Sequence, residues 1–160
     1  MRVSVHAVGR MKTGPERELA ARYFDRFAKA GPAVGLEWSG ITEIAESRAD
    51  TADLRKREEA QKLSTAVTSG AVLVLLDERG AHLSSEAFSG KLAGLRDAGD
   101  RQAIFALGGA DGHDPDLQAR AVLTLAFGRM TWPHQLARIM LAEQLYRAAT
   151  ILSGHPYHRA

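Results

Sequence analysis

A chain of 160 residues, 45% hydrophobic and 25% charged, has the make-up of one ordinary globular domain, expected to span 1–160. Without cysteine it can form neither a disulfide framework nor a thiolate metal site. The net charge of +2 by itself points to no polyanionic partner, and the longest aliphatic run, Ala71–Leu76, is far too short to cross a bilayer. The N-terminus, Met1-Arg2-Val3-Ser4-Val5, lacks the long apolar segment of a signal peptide. A cytoplasmic protein with no membrane association is expected.

Taken in order, Arg2–Val8 alternates apolar and polar residues and ends at Gly9, which predicts a first strand. Thr13-Gly14-Pro15-Glu16 predicts a helix start with a hydroxyl cap, and the helix should run to about Ala30. Its Glu18/Arg22 and Asp25/Lys29 spacings suit an exposed face. Gly31-Pro32 breaks the chain. Val34–Trp38 predicts a second strand and Asp50–Ser69 a second long helix, ended by Gly70. Ala71–Leu76 is apolar throughout, as in a strand buried on both faces, and Asp77–Gly80 reads as the turn that ends it.

Ser84 or Ser85 should cap a third helix reaching about Ala98. Gln102–Leu107 follows as a strand, Asp114–Arg120 as a short helix and Ala121–Ala126 as the last strand. Thr131-Trp132-Pro133 starts a final helix that Gly154 stops after Ser153. Strands alternating with helices predict an α/β domain with a mostly parallel sheet.

In open α/β sheets, ligands bind outside the carboxyl ends of the strands. Three loops lie there: Asp77–Gly80, Gly108–Asp114 and Gly128–Pro133. The glycine-rich loop, Gly108-Gly109-Ala110-Asp111-Gly112-His113, follows neither the dinucleotide spacing nor the phosphate-loop pattern. Alone it fits a tight turn as well as a ligand loop. Asp111, His113 and Asp114, or His155 and His158, are residue types that bind metals. Neither set has the partners of a closed site within its own segment, so no metal is expected.

The C-terminal part says more. Residues 121–160 hold Arg129, Arg138, Arg147 and Arg159 against Glu143 alone, with His134, His155 and His158 besides. A basic end on a nearly neutral body suits a polyanion, or is simply solvated. The last helix has a core stripe of Leu141, Leu145, Ala148 and Leu152, yet Ile139, Met140, Tyr146 and Ile151 lie off it. A helix apolar on two sides must be covered on two sides, by a partner subunit or by other elements of the chain. The tail His155-Pro156-Tyr157-His158-Arg159 brings together groups that stack on bases, bind phosphate and move protons near neutral pH. It can equally fold back on the body.

Several blocks together resemble the ribosomal large-subunit methyltransferase H family, small enzymes of the SPOUT class. They are Val5-His6-Ala7-Val8-Gly9; Leu75-Leu76-Asp77-Glu78-Arg79-Gly80; Phe105–Gly112; Met130-Thr131-Trp132-Pro133-His134-Gln135; Glu143-Gln144-Leu145-Tyr146-Arg147-Ala148; and His155-Pro156-Tyr157-His158-Arg159. The resemblance implies a parallel sheet flanked by helices, with a C-terminal trefoil knot. It implies a homodimer that takes S-adenosylmethionine and methylates N3 of a pseudouridine in 23S rRNA on the ribosome. Carried over by motif, the cofactor contacts are Leu76, Gly108, Phe127, Gly128, Arg129, Met130, Thr131 and Trp132. For the chemistry, residue type and position nominate His158 as base, Arg159 as anion clamp and Tyr157 as stacking group, with His134 and Arg138 behind them. A ribosome-binding module without catalysis, or an unrelated nucleotide enzyme built on the glycine loop, are the competing readings.

Overall fold

The computed structural model describes residues 1–65, 67 and 70–158. Its frame is a five-stranded sheet of order β2-β1-β4-β3-β5, parallel at every junction. The strands are β1 (Arg2–Val8), β2 (Glu37–Ile44), β3 (Ala71–His82), β4 (Gln102–Leu107) and β5 (Leu123–Ala126). The helices are α1 (Pro15–Ala30), α2 (Ala52–Ser64), α3 (Ser85–Asp97), α4 (Pro115–Arg120) and α5 (His134–Leu152).

The period of two in each strand gives the sheet two apolar faces. Val3, Val5, Ala7, Val74, Ala103, Phe105 and Leu107 point into the larger core, against Phe24 and Phe27 of α1, Phe88 and Leu92 of α3, and Leu141 and Leu145 of α5. Leu73, Leu75, Ile104 and Ala106 point the other way, against Leu63 of α2 and Leu117 of α4. Burial on both faces is why β3 and β4 read as apolar runs.

Several boundaries differ from expectation, each for a local reason. Val34 belongs to a 3-10 turn, Gly31–Val34, closed by Gly35 at φ +71, so the second strand begins later and its Trp38 stacks on Phe24 at 4.3 Å. Helix α1 has no hydroxyl cap: Gly14 occupies the cap position and Pro15 opens the helix. Neither expected pair on α1 is among the ion pairs of the described residues. Helix α2 is capped by the Thr51 hydroxyl and is described to Ser64. Part of its expected extension, Ala66, Thr68 and Ser69, lies outside the described residues. Helix α3 is capped by Ser84, as expected.

The largest difference lies in β3. Asp77–Gly80 does not end the strand; it is an excursion within it. Leu125 of β5 pairs with Leu76 before the excursion and with Ala81 after it, the geometry of a large bulge. Gly80 makes this possible, because a Cβ there would lie 2.7 Å from the backbone carbons of Thr124 and Leu125. Gly80→Ala should therefore cost about 1–3 kcal/mol in urea denaturation, the usual range for overpacking. Gly90→Ala in α3 is the control: its Cβ would meet nothing within 4 Å, and it should stabilise by up to about 1 kcal/mol.

Helix α5 is the central helix of its layer. Leu141, Ala142, Leu145, Ala148 and Ala149 are buried. Its second apolar side is partly covered within the chain, since Tyr146 lies 6.5 Å from Tyr23 of α1 and 4.7 Å from Tyr157, ring to ring. The shoulder at the start of α5 is left open: Met130 is 72% exposed, Trp132 41% and Leu136 40%. No described helix is long and apolar enough to cross a membrane.

Candidate functional site

The sheet is parallel, so the Asp77–Gly80 excursion within β3 and the loops that leave β4 and β5 lie at one end of it, where they meet in a cleft of about 510 Å³. Its floor and walls include Leu76, Leu107, Gly108, Phe127, Gly128 and Met130, with Thr131, Trp132 and the start of α5 at His134 and Ala137. All the motif-derived cofactor positions line it except Arg129, which is exposed and stands outside the lining.

Each loop is held by its own side chains. The segment between β5 and α5 closes on itself through the Trp132 indole N–H, which donates to the Phe127 carbonyl at 3.2 Å. The Thr131 hydroxyl donates to Glu78 at 2.6 Å, tying that segment to the β3 excursion. In the glycine loop Gly112, at φ +82, donates its N–H to the Gly109 carbonyl, and Arg55 of α2 grips Asp111 through two bonds of 2.7 and 3.0 Å. Gly109 sits directly on Glu59 of α2: a Cβ there would lie 2.9 Å from the carboxylate. Burial pushes the Glu59 carboxyl above the usual range, against the Ser47 N–H bond that favours its charged form.

His113 closes the loop. Its Nε2 lies 3.0 Å from the Leu76 carbonyl oxygen, which only accepts, so the proton is on Nε2. Burial lowers the His113 pKa below the ordinary 6.5, against the raising effects of the Leu76 bond and Asp77. The unfolded chain therefore takes up a proton first as pH falls. Stability due to His113 is complete above about pH 6.5 and is lost below it. Against His113→Gln, which cannot titrate, the wild type should lose relative stability between pH 7.5 and 5.5 in paired urea titrations.

The cleft rim is acidic. Burial raises Asp77, but hydrogen bonds from the Arg79 N–H and guanidinium together outweigh it and hold the carboxyl below its usual pKa. Asp111 is held low by Arg55. Glu78 lines the cleft with no basic partner among the described residues. Among those residues no three His, Cys, Asp or Glu side chains converge as metal ligands: Asp111 is paired with Arg55 and Asp114 caps α4.

The tail nominees lie elsewhere. Tyr157 donates its hydroxyl to Glu143 at 3.1 Å and stacks over the Arg147 guanidinium at 4.9 Å. Burial first, then bonds with Tyr23 and Glu143, push its phenol well above 10. His158 places Nε2 2.7 Å from Glu86 and Nδ1 3.3 Å from an Arg147 nitrogen. Since guanidinium only donates, Nδ1 accepts and Nε2–H donates, so both ring nitrogens are engaged. Arg159 lies outside the described residues. The described tail is thus folded on α3 and α5 beside a second cavity of about 580 Å³. That cavity includes Ser85, Glu143 and Gln144, and it shares the wall Leu125–Gly128 with the cleft.

Of the two further nominees, His134 lines the cleft, whereas Arg138 is buried as a structural tie. The Arg55 grip on the glycine loop and the Glu59 carboxylate packed against Gly109 escaped the sequence reading. They come from α2, whose charged composition resembles any solvated helix, and nothing in the spacing marks which charges turn inward.

Residues 1–158 match the family described as "Predicted SPOUT methyltransferase". The chain is 66% identical over 160 residues to the ribosomal RNA large subunit methyltransferase H of Brucella anthropi, covering all of both chains. It is 62% identical over 160 residues to the protein of the same name from Mesorhizobium japonicum, again covering all of both. Among solved structures, the SpoU methyltransferase AviRb of Streptomyces viridochromogenes, in complex with AdoMet, matches at TM-score 0.39 and 11% identity, over 92% of this chain and 59% of that one.

Proposed function

The chain belongs to the SPOUT methyltransferase family, and from that premise we propose that it is a single-domain, cytoplasmic enzyme that methylates large-subunit rRNA at N3 of a pseudouridine. The cofactor is S-adenosylmethionine. The observation that carries the reading is the convergence of the β3 excursion and the loops after β4 and β5 on one cleft of about 510 Å³, within the usual small-ligand range of roughly 300–1,000 Å³. Its donor set suits the cofactor. Leu76, Leu107, Phe127 and Met130 offer apolar surface to the adenine, and Glu78 on the acidic rim, with no basic partner among the described residues, favours a cationic sulfonium and ammonium. The C-terminal segment that builds one wall carries the family's trefoil knot.

Bound there, S-adenosylmethionine supplies an electrophilic methyl group. The chain's task is to align the acceptor and remove its proton. The imide N3 is protonated at neutral pH, so a base and a cation near the resulting anion each favour the reaction. His158 serves as base, Arg159 as the anion clamp and Tyr157 as a stacking surface. To accept a proton His158 must first release Arg147 from Nδ1, since Nε2 already carries the ring proton donated to Glu86. In a homodimer the partner subunit would cover the exposed Met130, Trp132 and Leu136 at the start of α5.

The test is transfer of labelled methyl from S-adenosylmethionine. Assembled ribosomes should be modified at least about tenfold faster than protein-free rRNA, because so small a domain reads a shaped surface better than isolated bases. No transfer to either substrate, or equal transfer to both, refutes the corresponding part of the proposal.

A further inference from the structure

We infer that His113 is a positioning residue for cofactor binding, acting through the Leu76 carbonyl and Gly108 rather than by touching the cofactor. The inference rests on the reading that S-adenosylmethionine occupies the cleft between the strand-end loops.

Leu76 is the last residue of β3 in register with both neighbours: it pairs with Leu107 of β4 and with Leu125 of β5, and the register with β5 then shifts. Beyond it the chain swings into the Asp77–Gly80 excursion, so the ladder no longer fixes its path. On the other side of the cleft, Gly108 begins a loop held internally by a single backbone N–H bond, from Gly112 to Gly109. Two walls that must keep a set separation are therefore both at the point where the sheet stops guiding them.

His113 joins them. Its Nε2–H donates to the Leu76 carbonyl at 3.0 Å. The same ring packs behind Gly108, where an added Cβ would lie 3.2 Å from Cε1. The ring is only 5% exposed, so it has no room to swing and acts as a rigid spacer. The next residue, Asp114, caps α4 by accepting the Asp116 N–H at 2.9 Å, which anchors the ring's own backbone. A side chain of the same bulk without the donor fills the space but frees the carbonyl. A flexible donor restores the bond without the ring. Those two changes separate positioning from packing.

The experiment uses the full-length chain. Titration calorimetry gives the affinity for S-adenosylmethionine, the labelled-methyl assay on ribosomes gives kcat and KM, and thermal denaturation reports folding. For His113→Leu we expect cofactor affinity about tenfold weaker, KM for S-adenosylmethionine raised in step, and kcat at saturation within about threefold of wild type, a split that a catalytic group would not give. His113→Gln should recover affinity to within about threefold. Ala137→Trp, which fills the cleft from α5, is the control for the site and should abolish binding. If His113→Leu lowers Tm but binds the cofactor as wild type does while Ala137→Trp does not bind, the positioning role is wrong and the cleft assignment stands. If Ala137→Trp binds normally, the cofactor lies elsewhere and both fall.

Discussion

Arg138→Met should lower stability by about 3 kcal/mol, the lower end of the range for removing one partner of a buried ion pair. For a domain of this size that is a fall in Tm of on the order of 10 °C. Arg138 is 1% exposed, the largest fully buried side chain in the molecule's described part. It bonds Glu43 at the end of β2 and donates to the Gly9 carbonyl, just past β1, at 3.0 Å. Glu43 also accepts the Met11 N–H at 3.0 Å. One guanidinium thus ties the first turns of α5 to the ends of two strands. Burial lowers its pKa, and Glu43 works against that shift. The group remains a cation, because arginine cannot be deprotonated at any ordinary pH.

Met fills much of the arginine stem's volume, so the loss comes chiefly from leaving Glu43 half-buried and unpaired. The Glu43 side chain keeps 23% exposure, which allows it some water and sets the effect at the lower end. Adding Glu43→Gln to Arg138→Met removes the stranded charge and should recover at least about 1 kcal/mol, read from urea denaturation of the four-member cycle. A double variant no more stable than Arg138→Met would show that the pair is not the tie. Because Nε has no partner among the described residues, the arginine is imperfectly satisfied, which limits what the uncharged double variant loses.

The parts of the fold legible in the sequence were those governed by periodicity. β1 and β4 lie where the sequence pattern placed them, and the start of α3 follows the cap chemistry read at Ser84. What escaped was decided by contacts between distant residues. Gly80 looks like a turn glycine until β5 lies against it. Arg138 looks like one basic residue among four in the C-terminal part, and only the proximity of Glu43, 95 positions earlier, turns it inward. The site divides in the same way. Strand-end loops can be located by rule, whereas His113, read first as a metal-type residue, takes its place from a carbonyl 37 positions earlier. The two apolar sides of α5 were legible as a pattern. That α1, α3 and the tail cover most of them was not, because a pattern records the need for cover and not its source.

Removing residues 155–160 should reduce methyl transfer to ribosomes by at least about a hundredfold at saturating cofactor, while cofactor affinity stays within about threefold. The size follows from the roughly 10²–10⁴-fold that a positioned acid–base group contributes, and the split follows from geometry. Tyr157 and His158 are held by Glu143, Arg147 and Glu86, and neither lines the cleft formed by the strand-end loops. The side-chain links of the described tail to the body come from Tyr157 and His158 and lie at the surface of α3 and α5. The His158–Glu86 contact is partly exposed, where such pairs add little to stability, so the truncated chain should still fold. His158→Ala should reproduce most of the rate loss, and Tyr157→Phe a smaller part, since it keeps the stacking face and removes only the hydroxyl with its bonds to Glu143 and Tyr23. The opposing account is a tail that merely clamps α3 to α5. It predicts a lower Tm with kcat unchanged, and that outcome would remove His158, Arg159 and Tyr157 from the chemistry together. A rate loss in the truncation that His158→Ala does not share would move the base role to another group, with Arg159 left as the clamp.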